Sequence, residues 1–361
     1  MKTIKSRGIP LAFIGANSIL EFYKFHLRTK NTETGAIHEM VRIPHSFKEG
    51  LLSLSNTIAK IARLTPRSFC RVNENIYFIL AGRLYRFNIT TKSLYEIANH
   101  VTNPFSITEY HGSREDIEII FGDYSLNPSR EQVNIWGASK DKITKICSFR
   151  KKEIRHVHNI IPTNDDDVFL ALTGDDDNEC GIWEVNIKTG MINAKFFGEQ
   201  KYRSCAGWYS DDTLMVIGDS PFERNYLRFI SLKTGEIRNG PILDAPVIYS
   251  LQIPEKGLLF SLSAEPNKLN NGTSHPKIPI DGIHGGVLSK WSKTYVFNCN
   301  DSSLNEIAQG EKMAMPYKFG YGTYMFASGA RDWYIIIPKF LKRQNNRYYV
   351  FSKDELFRKQ Q

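Results

Sequence analysis

Arg155, His156 and His158 open an apolar run, and Asp175, Asp177 and Glu179 follow in the next polar loop. On an extended strand alternate residues share a face, so the two imidazoles would point the same way, roughly 6–7 Å apart. Such a pair can act as base and electrostatic partner on an acidic substrate. It can equally hold a divalent metal with a carboxylate of the Asp175–Glu179 loop, or be an ordinary hydrogen-bonded part of a strand. Closely spaced carboxylates at Asp175, Asp177 and Glu179 suit a general acid whose pKa its neighbours raise. The alternate spacing touches that of a calcium loop, but the twelve-residue pattern is missing. A solvated acidic turn is the plain alternative.

Arg130, Arg155 and Arg203 carry guanidinium forks suited to carboxylate or phosphate recognition; pairing with the neighbouring acids would use them up instead. Asp219 stands in the same Gly-Asp setting as Asp175 and joins them as a binding residue. Tyr124 and Glu265 qualify as acid/base candidates by position. His284, in "DGIHGGV", lies on a glycine-rich loop able to close over a ligand. No GxSxG, HExxH, Walker or GxGxxG pattern falls in a fitting context.

What must position these residues is a repeat. "VFLALTGDDDNECGIWEVNIKTGMINAKFF" and "TLMVIGDSPFERNYLRFISLKTGEIRNGPIL" both run strand, Gly-Asp, polar loop, strand, Lys-Thr-Gly turn, strand. Gly190 and Gly235 are 45 positions apart, the length of a four-stranded propeller blade. Weaker copies occur at "IYFILAGRLYRFNITTKSLYEI", "IEIIFGDYSLNPSREQVNIWGASKDKITKI", "LLFSLSAEPNKLNNG", "TYMFASGARDWYIIIPK" and "LAFIGANSILEFYKF". Helical periodicity is confined to a turn near "LSLSNTIAKIARL". The expectation is an all-β chain: a single β-propeller over residues 1–361, of six or seven four-stranded blades, whose terminal strands close the ring. A two-domain sandwich is the alternative. In a propeller the A–B and C–D turns share one rim; here they are short hairpins such as "SDD", "EKG" and "KTG". The B–C and D–A connections share the other rim and carry the candidate residues, which would line a pocket at the mouth of the channel.

Composition sets the class. The 361 residues are 41% hydrophobic and 24% charged, and no segment is long and apolar enough to span a bilayer. Five scattered cysteines without a CxxC pair read as free thiols, and the basic N-terminus lacks a cleavage-site pattern; both point to a cytoplasmic location. The net charge of +9 favours an anionic partner, but dispersed basic residues without a reading motif argue against nucleic acid.

The hairpin "GASKDKITKI" resembles a degenerate Asp-box of the BNR type. Ser139, Asp141 and a nearby Thr144 echo the pattern, with Ile143 at the glycine position and Ile146 near the aromatic one. Together with "RHVHNI", "TGDDDNECGI", "YRSCAGWYSDDTLMVIGDSP" and "SLSAEPN", residues 115–300 resemble sialidase-like propeller proteins of bacterial surface-polysaccharide gene clusters. The resemblance implies a carbohydrate-active propeller working on an acidic oligosaccharide or a sugar nucleotide. A true sialidase would need an arginine triad, for which Arg42 in "VRIP" is a candidate first member, and a Tyr–Glu pair, for which the sequence singles out no residues. The His-rich mouth is closer to propeller polysaccharide lyases, which use His, Tyr and Arg against uronates. Three activities stay open: glycoside hydrolysis or β-elimination, glycan binding within an assembly of glycan-synthesis proteins, and sugar transfer.

Overall fold

The computed structural model describes residues 1–361 except 222, 266–285, 317–318, 329–331, 345 and 359–361. Seven four-stranded antiparallel sheets make up the chain. Their innermost (A) strands are Ile9–Gly15, Phe69–Val72, Thr108–Glu109, Val157–Pro162, Ser204–Ser210, Val247–Ile253 and Thr323–Ser328, numbered here as blades 1 to 7. Each A strand packs beside the next, and the seventh packs beside the first, so the sheets form a seven-bladed β-propeller. Of the two expected blade counts, seven is observed. Ring closure joins the chain ends: Lys2–Lys5 is the outermost strand of blade 7, with Ile4 paired to Tyr348 and Lys2 to Val350.

Burial grades from the axis outward, and the sequence follows it. The B strand of blade 4, Val168–Thr173 (VFLALT), is a continuous apolar run because both of its faces meet other blades. Its D strand, Met191–Phe197 (MINAKFF), is mostly exposed. The core is therefore a set of apolar layers between blades. One holds Ile160, Phe169, Val185 and Trp183 against Ile120, Ile135 and Phe149 of blade 3. The Lys-Thr-Gly turns recur as expected: Gly190 and Gly235 take φ of 74° and 75°, and each donates its N–H to the carbonyl four residues earlier. A side chain is costly in that left-handed conformation.

Two copies are out of phase with the rest. "LAFIGANSILEFYKF" and "TYMFASGARDWYIIIPK" supply A and B strands, whereas the central copies begin at strand B. Strand–turn–strand patterning does not distinguish the two hairpins. Near "LSLSNTIAKIARL" the single expected turn is two short helices, Phe47–Leu52 and Asn56–Ile61, capped by Ser46 and Ser55. They fill the D–A connection between blades 1 and 2.

Candidate functional site

The B–C and D–A connections of blades 3 to 5 bring Arg130, Arg155, His156, His158, Asp175, Arg203 and Asp219 into one buried cluster. Local backbone devices place them. The A strands of blades 4 and 5 each carry a bulge at their second residue: Val157 pairs with Thr173 and Asn159 with Leu172, leaving His158 unpaired, as Cys205 is in blade 5. A bulge re-aims a side chain. It draws the imidazoles closer than ideal pleating allows, to 4.9 Å between ring centroids and 3.0 Å between the Nε2 atoms. Asp175 has a φ of 143°, a strained conformation for a side-chain-bearing residue, and it turns the carboxylate back onto the pair. The shared Gly-Asp motif is offset by one residue in register, since Gly218 pairs within its strand where Thr173 does, and Gly174 lies one step beyond.

Tautomers follow from hydrogen bonding. His156 Nδ1 lies 2.8 Å from the carbonyl of Ser125, and His158 Nδ1 lies 3.1 Å from that of Ser204. A carbonyl only accepts, so both Nδ1 atoms carry protons and both Nε2 lone pairs face each other. The carboxylate of Asp175 lies 3.6 and 3.5 Å from them. This cradle of two lone pairs and a carboxylate fits either a shared proton or a divalent cation, with the Nδ1–carbonyl bonds in the usual supporting role. His158, Cys205 and Asp219 form a second convergent triad.

Charge sorts the carboxyl groups. Burial opposes ionisation of Asp175, but its contacts with the His156 and His158 rings and the Arg203 charge outweigh it and hold the group well below the usual carboxylate range. Burial pushes Asp219 up, partly offset by Arg203 and His158, and the Cys205 thiol donates to it at 3.1 Å. Burial, aided by the Asp219 charge, pushes Glu265 up to about 7. Carboxyls driven apart in this way divide into a permanent anion and a neutral acid. Burial also lowers His156.

Several expectations change. Asp177 is exposed on a single 3-10 turn and does not join the carboxylates; Asp176 takes its place, bonding Arg130 and Arg155. Glu179 is buried and bonds Arg130. Arg155 reaches Asp175 at 2.9 Å and Asp176 at 3.1 Å, and Arg203 reaches Asp175 at 3.1 Å. Of the two roles weighed for these arginines, pairing with neighbouring acids is what the geometry shows. Tyr124 packs between Phe105 and His156, with tilted rings and centroids at 4.1 and 4.2 Å, and burial pushes its hydroxyl up. Arg42 ends the exposed outer strand of blade 1. His284 lies outside the described residues.

A group that sequence reasoning missed completes the mouth. Arg67, from the blade 1–2 connection, stacks 3.6 Å over the ring of Phe105 and donates to the Tyr249 hydroxyl at 3.1 Å. Lys339, at the end of the B strand of blade 7, donates to the same hydroxyl at 3.2 Å. Burial would raise Tyr249, but the two cations prevail and hold its phenol below the usual value. Tyr249 follows a bulge at Ile248, the counterpart of His158 and Cys205, and its place near the start of the inner strand "APVIYSLQI" is the one signal that could have found it. Arg67 and Phe105 leave no such signal, because the connections that carry them lie outside the recognisable repeats.

No family model and no curated protein matches the chain. Among solved structures, a chain of the crystal structure of the mitotic checkpoint complex aligns over 97% of this chain and 93% of its own, with a TM-score of 0.55 and 9% identity. A putative TolB from Agrobacterium tumefaciens aligns over 79% and 89%, with a TM-score of 0.47 and 9% identity. The first likeness establishes the class, a β-propeller, and nothing about activity.

Proposed function

We propose that this propeller acts on an acidic glycan or glycosyl intermediate of surface-polysaccharide metabolism, bound at the channel mouth in a cytoplasmic setting. The observation that carries the reading is the Arg67–Tyr249–Lys339 group. Among the described residues, neither cation has a carboxylate within ion-pair reach, and both lie against aromatic rings, Arg67 on Phe105 and Lys339 on Tyr249. Arg67 and Lys339 would hold the anionic group, the role first considered for Arg155 and Arg203. Tyr249, with its lowered pKa, is the base on offer, and Glu265 and the His156–His158 pair, on the same rim, are the other groups able to exchange a proton. This combination favours β-elimination from a uronate over hydrolysis. A divalent ion in the histidine cradle would add charge to the same mouth.

The test is incubation with acidic oligosaccharides and sugar nucleotides, with and without chelator, read by mass spectrometry and near-ultraviolet absorbance. Elimination leaves an absorbing unsaturated product. If no acidic saccharide is turned over or bound, the reading fails. One observation favours a second reading, a binding or scaffold propeller in a glycan-assembly complex: Arg130, Arg155 and Arg203 are all engaged with internal carboxylates. It expects binding without product.

A further inference from the structure

On the same rim, between blades 7 and 1, a crevice opens beside the helix Asn56–Ile61. Its main cavity is about 230 Å³, and an adjoining part reaches Lys339. Arg7, Lys24, Lys60 and Lys339 line the two parts, joined in the smaller one by Arg347, with the side-chain amides of Asn56 and Asn346 between them. Among the described residues no carboxylate lines either part. The nearby Glu21 is fully buried behind Ser6 and engaged with Arg28 and Tyr348. Among the described residues none of the four cations has an acidic partner. This is unlike the histidine cluster, where every arginine meets an acid. It is also unlike the larger depression of about 480 Å³ on the opposite rim, where Asp165, Glu184 and Asp212 balance Lys195 and Lys233.

Four unneutralised cations gathered in a half-enclosed space repel one another, and a protein normally keeps such a group only where an anion relieves it. Half-buried Lys60 carries the mark of that repulsion: burial and the neighbouring Lys339 push its ammonium down to about 8. The volume lies below the roughly 300–1,000 Å³ of pockets that enclose drug-sized ligands, which leaves room for a compact group. A single carboxylate would offset only one of the charges. Phosphate and diphosphate carry two or more negative charges on oxygens that accept from several directions, matching lysine ammoniums and a guanidinium fork.

We propose that this crevice is a second anion site, built for a phosphate or diphosphate group held by Arg7, Lys24, Lys60 and Lys339. It goes beyond the glycan reading, because only Lys339 belongs to both places. A free phosphate and the diphosphate of a nucleotide would meet the same cations.

The experiment is calorimetric titration of the full chain at low ionic strength with inorganic phosphate, pyrophosphate, uridine diphosphate and glucuronate. Pyrophosphate is expected to bind at least tenfold more tightly than glucuronate. Lys60→Gln and Arg7→Gln should each weaken pyrophosphate at least tenfold. Equal affinities for pyrophosphate and uridine diphosphate would assign recognition to the phosphates alone; tighter binding of uridine diphosphate would extend the site to the nucleoside. Lys60→Gln removes a crowded charge and should keep the wild-type unfolding temperature or raise it, and Arg7→Gln gives an independent reading should it not. Absence of pyrophosphate binding, or unchanged affinity in both variants, overturns the proposal. Turnover of acidic glycans in the same two variants is a separate readout, so loss of one reading is distinguishable from loss of the other.

Discussion

The Nε2 atoms of His156 and His158 face each other at 3.0 Å while both Nδ1 atoms are committed to backbone carbonyls. Two bare lone pairs at that distance repel, so one proton or one cation must sit between them. Nitrogen-15 spectra of histidine-labelled protein should show both Nδ1 atoms protonated at neutral pH. Zinc added to chelator-treated protein should shift both Nε2 signals and raise the unfolding temperature, and His156→Ala with His158→Ala should abolish that rise. A neutral ring protonated at Nε2 would contradict the assignment.

Asp175 is the anion that Arg155 and Arg203 share. Asp175→Asn keeps its shape but removes one counter-charge from two poorly solvated cations, leaving Arg155 to Asp176 and Arg203 to Asp219, a loss of about 2 kcal/mol by denaturant titration at pH 7. Its folded pKa is depressed. The stabilisation is therefore fully present above the unfolded value of about 3.9 and fades as pH falls below it. Wild type and variant should converge in stability toward strong acid. A constant difference across that range would mean the effect is steric.

Glu265 has the opposite sign. Its folded value, about 7, exceeds the unfolded value near 4.3, so the protonated form favours folding. Its contribution is complete below about pH 4.3 and is lost as pH rises through 7. Glu265→Gln should therefore gain on wild type between pH 5 and 8, on the order of 2 kcal/mol. If the group also donates a proton in turnover, the fall in wild-type activity above pH 7 should vanish in the variant.

Arg67→Gln and Tyr249→Phe separate binding from proton transfer. The first should raise KM for an acidic saccharide about tenfold or more; the second should lower kcat with little change in KM. Equal loss of both parameters in both variants would mean that the group is structural.

Ile4, buried in the outermost strand of blade 7, tests ring closure. Ile4→Ala should cost about 2–4 kcal/mol in global unfolding. A change confined to exchange of the amide protons of Lys2–Lys5 would show that the strand is a dispensable edge.

Local chemistry in the sequence determined much of this. Apolar runs, Gly-Asp loops and the Lys-Thr-Gly turns at Gly190 and Gly235 specified repeated four-stranded units, and antiparallel connectivity then assigned the ionisable loops to one rim. That was enough to foresee Arg155, His156, His158, Asp175, Arg203 and Asp219 in one cluster. Only the tertiary structure decided the rest, because it depends on register and on parts of the chain far apart in sequence. The bulge at His158 set the spacing of the imidazoles, and φ at Asp175 chose it over Asp177. Arg67, Phe105, Tyr249 and Lys339 come from four different blades or connections, and ring closure alone makes them neighbours. The crevice of Arg7, Lys24, Lys60 and Lys339 arises in the same way, from residues more than 270 positions apart that meet where the seventh blade returns to the first.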